Sequence, residues 1–422
     1  MMKRLLKFGM GVAVTMSLGI LGGCTNETGN STGTNEEAGS HETVDIKLWL
    51  DNAAWGDALI DAMAESHPHI NLSHSHMEGG DTVNQLLLDG PAGLGADIII
   101  HPHDHMSNGL NANLFLPLGS AFSEMMDGRV LENALNTVQH NGNIFGVPLA
   151  SESIALFYNK TLLETHGLEV ATSFEEIVEQ ATTFNNPAAN EFILRFRAGN
   201  TYENFFFLSA AGFELFGPNQ DNPKLSGFGT EANINGLEAF LAMKEILPVA
   251  QGDLDWDNVH GEFVKGTVPY IITGPWSIAD IQENSDFEWG IATIPTINGE
   301  QPLTFSGNTI ATISSFTQNP DVAREVLEFM ASDEGLQIIY DTRGSIPALQ
   351  DLSTIDGLLD NHNLLAIYDQ VQHSIPMPSI PEMQFFWAVS DAMFQAVWNE
   401  LLTPTEAAER AMEDFNSSIS LN

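Results

Sequence analysis

Cysteine is nearly absent from this chain of 422 residues: Cys24 stands alone, which excludes an internal disulfide and any cysteine-built metal centre. Cations are scarce too. Only 14 Lys and Arg face 56 Asp and Glu, a formal net charge of -42. A field of that sign repels phosphate, which argues against nucleic acid and against an anionic membrane surface as partners. The imbalance comes mainly from missing cations, because charged residues make up 17% of the chain, below the roughly 25% of ordinary soluble domains. Such a surface fits an extracellular protein kept soluble under saline or alkaline conditions, where carboxylates stay ionised. The sequence carries no phosphate-binding loop, no nucleophile elbow and no zinc-binding helix motif. Long apolar runs are also missing. The stretch Phe8 to Leu21, behind Lys3, Arg4 and Lys7, is too short to span a bilayer and reads as an export signal occupying residues 1–24.

What is present is 43% hydrophobic residues over a length that supports two globular cores. Thr25 to Glu42, rich in Thr, Asn, Gly, Ser and Glu, cannot bury enough surface to offset its ordering entropy and reads as a flexible tether. Folded structure should begin with a strand at Val44 to Leu50 and a loop through Asn52 to Trp55. A helix from about Gly56 to Ser66, a strand near Ile70 to His74, a helix near Val83 to Asp89 and a buried strand at Ala96 to Ile100 should follow. A β-α-β-α-β order implies a parallel sheet with right-handed crossovers. Further on, Phe263 and Val264 end an amphipathic helix, Gly266 stops it, Val268 to Thr273 is a buried strand, and Gly274-Pro275 turns the chain. Trp276 then stands at a strand's carboxyl end, where open α/β sheets hold ligands.

Two other chemistries compete for the polar residues. His67, His69, His74, His76, His101, His103 and His105 place seven of the 13 histidines within 39 residues, a pattern compatible with a transition-metal importer. Against it, Pro102 should break the strand that would align them, and no cysteine completes a site. Asp104 and Glu152 could be the acid and base of a glycoside hydrolase, although neither sequence setting clearly raises one carboxyl pKa.

The helix ending Phe263-Val264-Lys265-Gly266, the strand after it and Gly274-Pro275-Trp276 resemble the signature of family 1 extracellular solute-binding proteins. The likeness covers nearly all of residues 44–420, in order, and is greatest to the maltose/maltodextrin-binding proteins of ABC importers. It implies an α/β, two-lobed periplasmic-binding-protein-like fold (type II), each lobe a central sheet flanked by helices, joined by a multi-crossing hinge. The first lobe would take residues 43–150 with 307–353, and the second 151–306 with 354–422. It also implies a sugar site. Asp104 and His105 match positions that meet sugar hydroxyls, with His in place of the more usual Arg, and His101 falls where an aromatic often lies. Glu152 matches a hinge carboxylate, and Tyr202, Trp276 and Trp387 match stacking aromatics. Asn200 stands where a carboxylate is usual, and Trp55 completes the implied ligand set.

Leu21-Gly22-Gly23-Cys24 resembles the lipoprotein box of bacterial exported proteins, which implies a lipid anchor on Cys24. The function implied is capture of malto-oligosaccharides by hinge closure and delivery to the permease subunits of an ABC transporter. The protein would be a monomer without a cofactor on the outer face of the cytoplasmic membrane. Cyclodextrin, trehalose or a transition metal are the alternative ligands.

Overall fold

The computed structural model describes residues 43–420; the export signal, the lipobox at Cys24 and the tether lie outside them. The strands are β1 (Val44–Leu50), β2 (Ile70–His76), β3 (Ile98–Pro102), β4 (Gln139–His140), β5 (Asn143–Ile144), β6 (Val147–Ser153) and β7 (Ala155–Asn159). They continue with β8 (Leu194–Arg195), β9 (Tyr270–Thr273), β10 (Trp289–Ala292), β11 (Thr304–Ile313), β12 (Ile346–Pro347) and β13 (Ser374–Pro376). A larger sheet has the order β12-β6-β11-β3-β1-β2, with β13 also paired to β11, and a smaller one the order β10-β7-β9-β8. The strands β1, β2 and β3 run parallel, as the β-α-β-α-β order demands. Their residues are buried on both faces where the sheet is covered: Ile46, Leu48, Trp49 and Leu50 in β1, and Ile98 to His101 in β3.

Local chemistry sets the helix boundaries. The first helix starts at Ala53, three residues before the expected Gly56, because the Asn52 side chain caps it by accepting from the Trp55 N–H at 2.9 Å. Trp55, Leu59 and Met63 then fall on one buried stripe. Ser173 caps the next long helix by accepting from Glu176 N–H, while the Glu176 carboxylate reaches Thr172 N–H instead of the cap residue. Thr403 and Glu406 exchange both bonds of a capping box. Asn319 makes no side-chain cap, although Asn before a first-turn Pro is a common helix start. Gly344, at φ 65°, ends the helix Asp333–Arg343 in the left-handed conformation. Among the described residues no helix is long and apolar enough to cross a membrane.

The chain leaves the larger sheet at Ser153 and enters the smaller at Ala155. It returns between Ala292 and Thr304, and Gln370 holds this return. Gln370 is fully buried; its carbonyl accepts from Ile294 N–H at 2.6 Å, and its amide donates to Thr304 Oγ1 and His373 O at 3.1 Å each. Gln370→Leu keeps the bulk and strands a buried N–H, so urea denaturation should show a loss of about 1 to 3 kcal/mol; an unchanged midpoint would mean the connection is held by packing alone.

Candidate functional site

The carboxyl ends of the sheets face a common cleft. Asp51 follows β1, the turn His103–His105 follows β3, and Trp276 follows β9. Two adjoining cavities lie there, of about 520 and about 270 Å³, and Asp51, Glu152, Trp276 and Arg343 line both. Arg343, in the last turn of its helix where the backbone dipole favours a cation, pairs with Asp51 at 2.8 Å. Gly307 makes room beside it: a Cβ there would press within 3.2 Å of the Glu152 carboxylate.

Trp276 is the exposed aromatic of the cleft, 43% accessible. It folds back over its own turn, and a side chain at Gly274 would collide with the indole. Tyr202 lies 6.2 Å from Trp276 and 6.5 Å from Trp387, ring centre to ring centre, with inclined planes. Behind them, Phe305 packs 5.4 Å from Trp387 and 3.9 Å from Phe205, so the aromatic surface rests on core. Trp387 is half-buried and lines neither cavity.

Several hydrogen-bonding and titratable side chains line the inner cavity. Burial raises the Glu152 carboxyl, an effect that Arg343 partly offsets and Asp51 reinforces. The sequence setting of Glu152 gave no clear sign of this rise, which comes from its burial in the fold. Burial, then Glu152 and Asp104, hold the Tyr202 phenol well above its ordinary range, so it stays a hydrogen-bond donor. Tyr202 Oη, one carboxylate oxygen of Asp104, His101 Nε2 and Asn308 Nδ2 are all buried without a protein partner.

The structure therefore brings Asp104, His105, Glu152, Tyr202 and Trp276 to one place and leaves others out. Trp55 is 1% exposed, inside the core stripe with the Arg343 guanidinium 5.9 Å from its ring, so it offers no face to a ligand. Asn200 spends its side-chain oxygen capping a helix, from Glu203 N–H at 3.0 Å, and lines neither cavity. Pro102 does not break β3 but ends it, opposite Thr309 of β11. The histidines disperse: His69 pairs with Glu325, His74 with Asp57 and His76 with Glu78, while His101 and His103 are buried. Among the described residues no group of three or more His, Asp or Glu side chains could hold a metal ion. Asp51, Arg343 and Asn308 were missed. The available signals were Asp51's place at a strand end and the rarity of any Arg.

A wall of aromatic rings over unpartnered hydrogen-bonding groups, set between two α/β sheets, defines a protein that holds a small polar ligand. Residues 58–364 match the family of bacterial extracellular solute-binding proteins, and the chain belongs to it. The galactooligosaccharide-binding protein of Bacillus subtilis (strain 168) is 23% identical, over 99% of this chain and 98% of its own. A maltooligosaccharide ABC transporter solute-binding lipoprotein of Streptococcus pneumoniae (strain ATCC BAA-255 / R6) is 23% identical over 91% and 90%. A cyclo/maltodextrin-binding protein crystallised with maltotetraose superposes with a TM-score of 0.80 at 26% identity, over 89% of this chain and 97% of that one. The fold is the two-lobed periplasmic-binding-protein-like fold.

Beside the site, Glu203 is 2% exposed, 3.3 Å from Arg197, and burial pushes its pKa up to about 7 despite that cation. Between its ordinary 4.5 and about 7 the native state keeps a proton that the unfolded chain has released, so stability falls as pH rises through that window and stays lower above it. Glu203→Gln should remove at most about 3 kcal/mol of this pH dependence. Melting temperatures at pH 5 and pH 8 read it: the variant should gain on wild type at pH 8 only, and a pH-independent gap would count against the assignment.

Proposed function

We propose that this chain is the lipid-anchored, extracellular binding component of an ABC importer, and that it captures malto-oligosaccharides by closing its two lobes around them. The observation that carries this reading is the exposed indole of Trp276 set against Tyr202, above the buried unpartnered groups of Asp104 and Tyr202. A glucan has apolar ring faces that suit a flat aromatic, and hydroxyl rims that both donate and accept. The maltose- and maltodextrin-binding names among its relatives and structural neighbours support the same ligand class. A galacto-oligosaccharide, named for another relative, offers similar chemistry. Titration calorimetry with maltotriose, maltoheptaose, γ-cyclodextrin, trehalose and a β-galactotriose separates these ligands, and absence of binding to any of them would remove the sugar reading.

The anchor would be Cys24, after Leu21-Gly22-Gly23, with the acidic mature chain held at the outer face of the membrane as a monomer and presenting sugar to the permease subunits. Binding needs no cofactor and no turnover. The raised Glu152 carboxyl is the one feature a glycoside hydrolase could use, and incubation with maltoheptaose followed by an assay for new reducing ends tests that use. Cys24→Ser should release the protein to the medium or leave it unprocessed; normal processing with unchanged membrane association would show that the anchor lies elsewhere.

Closure should place a sugar ring on Trp276, so Trp276→Ala should weaken maltodextrin binding about tenfold to a hundredfold while the ligand-free melting temperature holds. Trp387→Ala should also weaken binding, by loosening Tyr202. Trp55→Ala should instead cost about 3 to 5 kcal/mol of stability through a core cavity. Normal affinity in folded Trp276→Ala protein would take the indole out of the site.

A further inference from the structure

His101 and His103 stand two residues apart, both buried, and their surroundings differ in one respect. His103 is complete. Its Nδ1 accepts from Asn308 N–H at 3.1 Å and its Nε2–H donates to Met377 O at 3.0 Å, so the ring is a structural brace between β3, β11 and the segment after β13. His101 is half complete. Its ring stacks on Phe115 with 5.2 Å between centres and 9° between planes, and Nδ1 lies 2.8 Å from Pro102 O. A carbonyl only accepts, so Nδ1 carries the proton and Nε2 is left with a lone pair. That Nε2 is buried without a partner, in a side chain 1% exposed that lines the inner cavity.

The rest of the cavity supplies matching groups. Asp104 adds a second unpartnered acceptor, and Tyr202 Oη and Asn308 Nδ2 add two donors. The Asn308 amide is oriented by Ser151 Oγ–H, which donates to its carbonyl at 2.6 Å. A cavity of about 270 Å³ sits just below the ~300 Å³ at which drug-sized pockets begin, which fits one sugar ring.

We propose that His101 is a specificity-determining ligand residue: its Nε2 accepts a hydrogen bond from a hydroxyl of one sugar ring seated in the inner cavity between Asp104, Tyr202 and Asn308. The assignment rests on the sugar-binding reading above and names what that reading leaves open, the group that selects for a free hydroxyl. An acceptor held in place by stacking and by a fixed tautomer rewards a hydroxyl and penalises a deoxy or O-methyl group, because the lone pair then stays buried and unpaired. Burial lowers the imidazole pKa to about 4, with the Pro102 bond opposing and His105 and His103 adding to the fall, so the lone pair is available at neutral pH.

The experiment measures binding of maltotriose, or of whichever panel sugar binds tightest, to wild type, His101→Phe and His101→Gln. Phenylalanine keeps the stack on Phe115 and removes the acceptor; glutamine returns an acceptor near the Nε2 position. Phe should lose about tenfold or more and Gln should recover most of it. For mono-deoxy and mono-O-methyl analogues, one position should lose affinity in wild type and no further affinity in His101→Phe, since the two changes remove the same bond. On wild type alone, nitrogen NMR should show the His101 Nε2 resonance moving on sugar addition while that of His103 holds. This reads the bond even where a variant fails to fold. Equal affinity in wild type and His101→Phe, or an unmoved His101 resonance in sugar-saturated protein, overturns the assignment and leaves the sugar reading intact. A wild type that binds no sugar overturns both.

Discussion

The pairing of β11 is the constraint on which the site depends. Its ten residues bond to β6, β3 and β13, so three segments far apart in sequence meet along one backbone. The register sets Gly307 opposite Glu152, clearing space for the carboxylate. Asn308 N–H reaches His103 and the Asn308 side chain reaches Ser151. The bulge between Thr309 and Ile310 falls one residue beyond, at the cavity edge, where bulges commonly re-aim side chains. At the other end Thr304 bonds to Ser153 and Gln370 where the chain passes between sheets. A buried polar seam of this kind specifies one geometry because each broken bond leaves a desolvated group behind. The larger sheet is therefore organised on this one strand, whose first residue also sits where the chain returns from the smaller sheet.

Much of the fold was legible because its signals are local. Strand β1 was read to the residue, and the helix caps carry a signal as local, since Ser173 and Thr403 each stand three residues before a Glu. The same kind of signal was misread twice. Asn52 starts its helix early enough to swing Trp55 onto the buried stripe, and Asn200-Thr201-Tyr202-Glu203 is a cap sequence in which Asn serves the backbone. In the first case the aromatic, Trp55, and in the second the polar residue, Asn200, was assigned to a ligand surface where the helix terminus had the prior claim. Asp51 and Arg343 were invisible for the opposite reason. They are 292 positions apart and follow no pattern, so only the tertiary fold reveals the pair.

The histidine cluster shows how sequence density differs from density in space. His74 and His76 leave β2 on one face, His67 and His69 sit in the turn before it, and His101 and His103 lie in and after β3, two strands away across β1. The exposed members have neighbouring carboxylates, which a chain with 56 acids supplies almost anywhere. Scarce lysine and arginine leave histidine as a common partner for surface acids in this region.

The charge balance also bears on what the cleft can hold. Asp104 and Glu152 face the inner cavity without a basic partner of their own in hydrogen-bonding range, and Arg343, the cation of the cleft, already serves Asp51. Charges beyond a Debye length of ~8 Å are screened at physiological salt, so these nearby groups outweigh the remote surface in deciding the sign of the site. An anionic sugar, whether phosphate or uronate, would meet the Asp104 and Glu152 carboxylates and find the cavity's guanidinium already paired with Asp51. A cationic ligand would find attraction but no use for Tyr202 and Asn308, which donate. A neutral polyol satisfies both kinds of group at once, since each hydroxyl gives one hydrogen bond and takes another. Acceptors and donors interleaved around aromatic faces thus suit uncharged, hydroxyl-rich rings, the ligand class proposed for this chain.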